Sequence, residues 1–353
     1  MSIITRKLWY EIRCLYALMA YPMTRREIID RLEINMTGIN VETTNICNAD
    51  CTFCAYQYQE RPTGVMSMQL YKKILREFIE CGGGNLSLTP TVGDPLVDPH
   101  IVERIRLARC YPEIANVGTY TNLILLGRSG AMDIVTSGLN SLTISTSGFD
   151  EKMYRRVYRS PLYRRVLNNI KELVEVNKGA GEPVQLWIDM RVDRPLREVY
   201  ASSDYQEISS ILGAHRISVK FQYDSWAGKI HKDQLTGNMR VRSNHSWRHP
   251  RVSPCKELYN GPTIYWDGKV GACSCRDVNA SELIIGNIND SHLADIWFGE
   301  KIKGLRAEFL TPQIREICKK CSHYANLSHY VLPEYRRAEL DQIDPPPVHL
   351  SQK

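Results

Sequence analysis

NVETTNICNADCTFCAYQ, residues 40–57, joins a β-type run to a loop that carries three cysteines within eight residues. Asn40–Thr43 reads as a strand, and Thr44–Gln57 as the loop leaving its C-terminal end. Further β-type runs follow at Leu86–Thr89, Asn116–Thr121, Ser141–Ser145, Val184–Met190 and Ile217–Tyr223. Between them lie helical stretches, Ser67–Cys81, Pro99–Cys110, Arg128–Ser137, Asp150–Asn177 and Glu198–Leu212. Strand and helix in alternation predict right-handed crossovers and a parallel sheet. Six such units make an open or partial barrel, with functional loops at the C-terminal strand ends.

The flanks are organised differently. Residues 1–39 read as a helical extension. Leu8, Ile12, Leu15, Tyr16 and Met19 form a stripe that Pro22 interrupts, and Thr24 is placed to cap a second short helix, Arg25–Leu32. Such a segment covers the edge of a larger domain or lies on a membrane surface. The barrel is expected over 40–245, a compact second unit over 246–325 and a loose, proline-containing tail over 326–353. Trp226–Pro254 is polar and His-rich, a linker or lid. Thr263–Trp266 and Lys269–Ala272 flank Asp267-Gly268, a hairpin signal, and a helix is expected near Leu293–Arg306.

The 353 residues, 43% hydrophobic and 24% charged, can bury a core, which excludes wholesale disorder, collagen and coiled coil. The net charge of +6 suits an anionic ligand but does not argue for nucleic acid, and the arginines 155, 156, 159, 164 and 165 read as a solvated helix face. No apolar run approaches the roughly 20 residues of a membrane span, and the charged start does not resemble a secretory signal. A cytoplasmic protein is the expectation.

In such a compartment clustered cysteines point to metal or catalysis before disulfides. Of the eleven, Cys14, Cys81 and Cys110 stand alone and read as small buried hydrophobes. Cys47, Cys51 and Cys54 can hold three corners of an iron–sulfur cluster and leave one iron without a protein ligand, with zinc as the alternative. The C-x3-C-x2-C spacing, with Phe53 before the last cysteine, resembles the signature of the radical S-adenosylmethionine (SAM) superfamily. Val92-Gly93-Asp94-Pro95 is similar to that family's GGEP motif, with Val for the first Gly and Asp for Glu. The resemblance implies a partial (β/α)6 barrel and reductive cleavage of SAM at the open iron to a 5′-deoxyadenosyl radical. It further implies SAM contacts at Phe53, Gly93, Asp94, Asn122, Ser145, Ser147 and Arg191, each at or near a strand's C-terminal end.

Cys255 and Cys273 flank the hairpin, and Cys318-x2-Cys321 returns as a close pair. Together they resemble the auxiliary-cluster domains of the SPASM and Twitch types, as does the stretch Gly286-Asn287-Ile288 to Trp297. The four cysteines match the shorter Twitch form and imply a second [4Fe-4S] cluster, with zinc the alternative and Cys275 a spare thiol. A fully ligated cluster accepts electrons, which implies oxidation of a secondary alcohol on a sugar or aminocyclitol. Arg240, His245, Arg248 and His249 are candidates to take the hydroxyl proton, with Arg240 and His245 placed first. Maturation of a small ribosomally made peptide is the alternative, and a non-catalytic iron–sulfur or zinc scaffold is a reading of another class. Flavodoxin or ferredoxin is the expected electron donor.

Overall fold

A computed structural model describes residues 3–243, 250–273, 276–311 and 313–335. Six parallel strands run in chain order: β1 (Gly38–Val41), β2 (Gly84–Ser87), β3 (Ile114–Thr121), β4 (Ser141–Ser147), β5 (Gln185–Arg191) and β6 (Ile217–Lys220). Residues alternate between faces, as a pleated strand requires. Leu142 and Ile144, or Leu186, Ile188 and Met190, are buried under the helices. The opposite face is mostly polar and uncharged, with Asn40, Ser87 and Thr143 along it, and it leaves Tyr120 and Trp187 exposed. It forms the wall of a cleft of about 920 Å³ that opens at the N-terminal strand ends.

The second unit does not form a separate sheet. After two short paired strands, β7 (Gln222–Tyr223) and β8 (Arg240–Val241), the chain enters the barrel sheet again. Here β9 (Thr263–Ile264) pairs in parallel with β1, and β10 (Lys269–Gly271) and β11 (Ile284–Asn287) continue antiparallel, giving nine strands in one sheet. Gly261 makes this entry possible, because it adopts φ +144° and a Cβ there would meet Gly38 O at 1.7 Å. The turn at Asp267-Gly268 forms as its residues predict, with Gly268 at φ +91°.

Several helices differ from the sequence expectation. A single helix, α1 (Ile3–Glu33), continues through Pro22. Proline inside a helix costs about 3 kcal/mol. Here Ala17, Ala20 and Tyr21 before it and Ile28 and Leu32 after it are all buried, and that packing holds both halves on one axis. The stretch expected as one helix over 150–177 is two, Glu151–Tyr158 and Tyr163–Gly179, because Arg159 takes a left-handed φ of 50° just before Ser160-Pro161. Gly299 likewise splits the helix expected near 293–306 into Leu293–Trp297 and Glu300–Glu308. Cys110, expected to be buried, is exposed. Of the tail expected to be loose over 326–353, residues 326–335 are packed instead, with Leu327–Val331 forming a short 3-10 helix and Leu327, Ser328, Tyr330 and Leu332 buried, and the remainder lies outside the described residues.

Candidate functional site

The cysteine loop leaves β1 and is pinned from several sides. Asp94 N–H donates to Ile46 O at 2.9 Å, Thr52 N–H to Val157 O at 2.9 Å, and Cys54 N–H to Cys51 O at 3.1 Å. Gly93 is needed where the Gly-Asp-Pro turn crosses this loop, because its φ is +137° and a Cβ would sit 3.1–3.2 Å from Thr44 O and Asn45 backbone atoms. Burial pushes all three thiols up, Cys47 to about 12 with Asp94 adding to the effect.

Asp94 is buried, and burial raises its carboxyl to about 6. Its oxygens accept from Thr121 Oγ1 at 3.0 Å, Asn122 N–H at 2.7 Å and Leu96 N–H at 3.0 Å. The carboxylate therefore ties the turn to the end of β3 and fixes Asn122, whose Nδ2 donates to Asn48 Oδ1 at 2.7 Å and lies 3.9 Å from Cys47 Sγ. At the end of β4, Ser145 Oγ accepts from Arg191 Nε at 3.0 Å and shares a hydrogen bond with Tyr158 OH at 2.9 Å. Ser147 Oγ is buried with no hydrogen-bond partner among the described residues.

Arg191 lies over the Phe53 ring, 4.5 Å from its centroid, and Phe53 packs on Tyr158 and Tyr223. The structure thus gathers Cys47, Cys51, Cys54, Phe53, Gly93, Asp94, Asn122, Ser145 and Arg191 at the C-terminal strand ends. Asn48, Tyr158 and Tyr223 join them there without a sequence signal of their own. Trp226 also closes on the loop, its indole N–H donating to Phe53 O at 3.0 Å.

A buried ion pair links this loop to the second unit. Arg61 donates to both Glu42 oxygens, at 2.6 and 2.7 Å, and its Nε donates to Val278 O at 2.8 Å. Its guanidinium lies 4.8 Å from the Tyr265 ring centroid, and Thr91 N–H also reaches Glu42, at 3.2 Å. Burial pushes the Glu42 carboxyl up while Arg61 opposes the shift.

In the second unit Cys255, Cys273, Cys318 and Cys321 line one cavity, whose remaining wall is largely apolar, with Leu258, Leu283, Phe309 and Ile317. Cys318 is pushed up to about 12, chiefly by burial, and Cys255 is raised for the same reason. Among the described residues no three His, Cys, Asp or Glu side chains converge on a point that one metal ion could occupy. Three thiols in one loop, and four lining one cavity, are donors of the kind a four-iron cluster takes at one thiolate per corner. The donor chemistry therefore fits such clusters. Arg240 is exposed on β8, where its N–H donates to Phe221 O at 2.8 Å. His245, Arg248, His249 and Cys275 lie outside the described residues.

Comparison with known proteins agrees with this geometry. A model of the radical SAM superfamily matches residues 41–181, and a model of the SPASM iron–sulfur cluster-binding domain matches residues 255–322. A GTP 3′,8-cyclase of Chlorobaculum tepidum is 26% identical over 148 residues, which cover 42% of this chain and 44% of that protein. The chain thus matches less than half the length of that relative. The structure of Streptococcus suis SuiB bound to precursor peptide SuiA superposes with a TM-score of 0.60 at 15% identity, over 88% of this chain and 77% of that one. BtrN in complex with AdoMet and 2-DOIA gives a TM-score of 0.50 at 17% identity, over 81% and 92%. At these identities the two structures establish the fold alone. A radical SAM domain works with a [4Fe-4S] cluster and SAM, and a SPASM domain brings additional iron–sulfur. The chain carries a radical SAM domain over residues 41–181 and a SPASM-type iron–sulfur domain over residues 255–322.

Proposed function

We propose that the protein oxidises a secondary alcohol of a sugar or aminocyclitol. Cys47, Cys51 and Cys54 would hold the SAM-binding cluster, and Cys255, Cys273, Cys318 and Cys321 an auxiliary [4Fe-4S] cluster. The observation that carries the substrate class is the inner barrel wall. Asn40, Ser87 and Thr143 offer neutral hydrogen-bonding groups, and Tyr120 and Trp187 offer exposed rings for the apolar face of a sugar.

When bound, the reduced cluster and SAM supply a radical that abstracts one hydrogen atom. Gly93 and Asn122 present polar backbone and amide groups beside the thiols, and Asp94 keeps Asn122 in place. Arg191, held by Ser145 and stacked on Phe53, offers a charge for the SAM carboxylate, and Ser147 an unused hydroxyl. Asp189 follows the inner face of β5 one step below Arg191, with Lys220 Nζ 3.5 Å away. We assign Asp189 the hydroxyl proton, because the guanidinium of Arg240 stays protonated and can only donate. His245 remains a candidate for the same proton. Turning a secondary alcohol into a carbonyl removes a hydrogen atom, a proton and an electron; Asp189 would take the proton, and a cluster held by Cys255, Cys273, Cys318 and Cys321 would supply the one-electron acceptor. An external flavodoxin- or ferredoxin-like donor would reduce the first cluster.

The test is anaerobic turnover with SAM and carbon-deuterated sugars, aminocyclitols, GTP and peptides. Deuterium should enter 5′-deoxyadenosine from a sugar or aminocyclitol. Transfer from GTP or from a peptide alone overturns the substrate assignment, and the peptide outcome would establish a maturase.

A further inference from the structure

The helix α1 carries two apolar faces. One, with Ala17, Ala20, Tyr21, Ile28 and Leu32, is buried against the body, where Tyr21 lies against Ser253. The other holds Leu8, Ile12, Leu15, Tyr16, Met19 and Met23. All are at least half exposed, Met19 at 78% and Met23 at 82%. Their spacing places them on one stripe opposite the buried face, with Trp9 at its margin. Among the described residues, eight of the sixteen strongly exposed large apolar side chains lie on this one helix. The stripe from Leu8 to Met23 is roughly 24 Å long at helical rise.

Charge selects what covers it. Through residue 26 the chain has five basic side chains, Arg6, Lys7, Arg13, Arg25 and Arg26, against the single acid Glu11. Arg13 stacks over the Trp9 ring at 4.3 Å, a cation and an indole side by side at the stripe's margin. Arg26, exposed and 3.8 Å from Asp30, closes the stripe at its far end. A second copy would set this positive segment against another, whereas an anionic bilayer accepts both the apolar stripe and the basic flank. No helix of the described residues is long and apolar enough to cross a membrane.

We propose that α1 lies in the plane of an anionic membrane surface, its Leu8–Met23 stripe in the headgroup boundary, and so holds the barrel against the bilayer. The full-length protein should float with vesicles containing about 30% phosphatidylglycerol at least about tenfold more than with pure phosphatidylcholine vesicles. Leu15→Glu with Met19→Glu should lower that binding about tenfold or more, with far-UV circular dichroism, iron content and SAM cleavage unchanged. Arg25→Glu with Arg26→Glu should weaken it and reduce its salt dependence. Equal binding to both vesicle types, or none to either, overturns the proposal. So does a dimer seen by light scattering without vesicles that the Leu15/Met19 variant dissolves, since the stripe is then a contact between copies.

Discussion

The two cysteine groups reach similar chemistry by opposite routes. Cys47, Cys51 and Cys54 lie within eight residues of one loop behind one strand, and β3, β4 and β5 bring Asn122, Ser145 and Arg191 to it. Cys255, Cys273, Cys318 and Cys321 come from three separated segments that meet around one cavity in the second unit. In the proposed assignment a local set of three would leave a fourth corner open to a ligand, whereas a set of four, with Leu258, Leu283 and Phe309 around it, would not. The comparison teaches that ligand count and enclosure, more than thiol chemistry, would divide the two proposed roles, since burial raises thiols in both sets.

Replacing Cys47, Cys51 and Cys54 together with Ala breaks the comparison most severely. Cleavage of SAM should fall below detection, while iron drops from about eight to about four atoms per chain. Continued 5′-deoxyadenosine formation, read by chromatography, would sink the assignment. The partner experiment, Cys318→Ala with Cys321→Ala, should leave SAM cleavage within about twofold but abolish the oxidised product. Normal product yield in that variant removes the electron-acceptor role.

The join between the two regions gives the next effect. Glu42→Ala leaves Arg61 buried without its carboxylate, which should destabilise the protein by about 3–5 kcal/mol in chemical denaturation. A loss under about 1 kcal/mol would mean that the pair does not clip the units together. Gly93→Ala should cost about 1–3 kcal/mol from its positive φ and near contacts, with a matching loss of SAM affinity in equilibrium dialysis. Unchanged affinity would separate the turn from the SAM site.

The smallest effect is one of pH on iron-free protein. Burial raises the folded pKa values of Cys47, Cys51, Cys54, Cys255 and Cys318 above the ordinary 9.0, to about 12 for Cys47 and Cys318. The stability linked to them is therefore complete below pH 9 and is lost as pH rises toward 12. Thermal melts of iron-free and iron-loaded protein should diverge across that window, because thiolates bound to iron have no proton to lose. Parallel melts would show that the thiols are not buried as described.

Short-range pattern made much legible from residues alone. The strand-loop order and the C-x3-C-x2-C spacing announced the site, and the Gly-Asp-Pro turn lies against that loop as its position suggested. The Asp94 contacts were not legible. A side chain expected to contact SAM spends its oxygens on Thr121, Asn122 and Leu96. Nor did any local signal mark Tyr158 and Tyr223 as partners of Phe53, or pair Arg61 with Glu42.

By itself the order of amino acids determined the alternating architecture, the two cysteine sets and the turn residues, because periodicity, ligand spacing and backbone freedom are properties of neighbours along the chain. Only the tertiary structure decided that β9 extends the barrel from β1, that α1 runs unbroken through Pro22, and that one apolar face of that helix stays outside the core. Those outcomes rest on burial between segments far apart in sequence, where packing outweighs local preference.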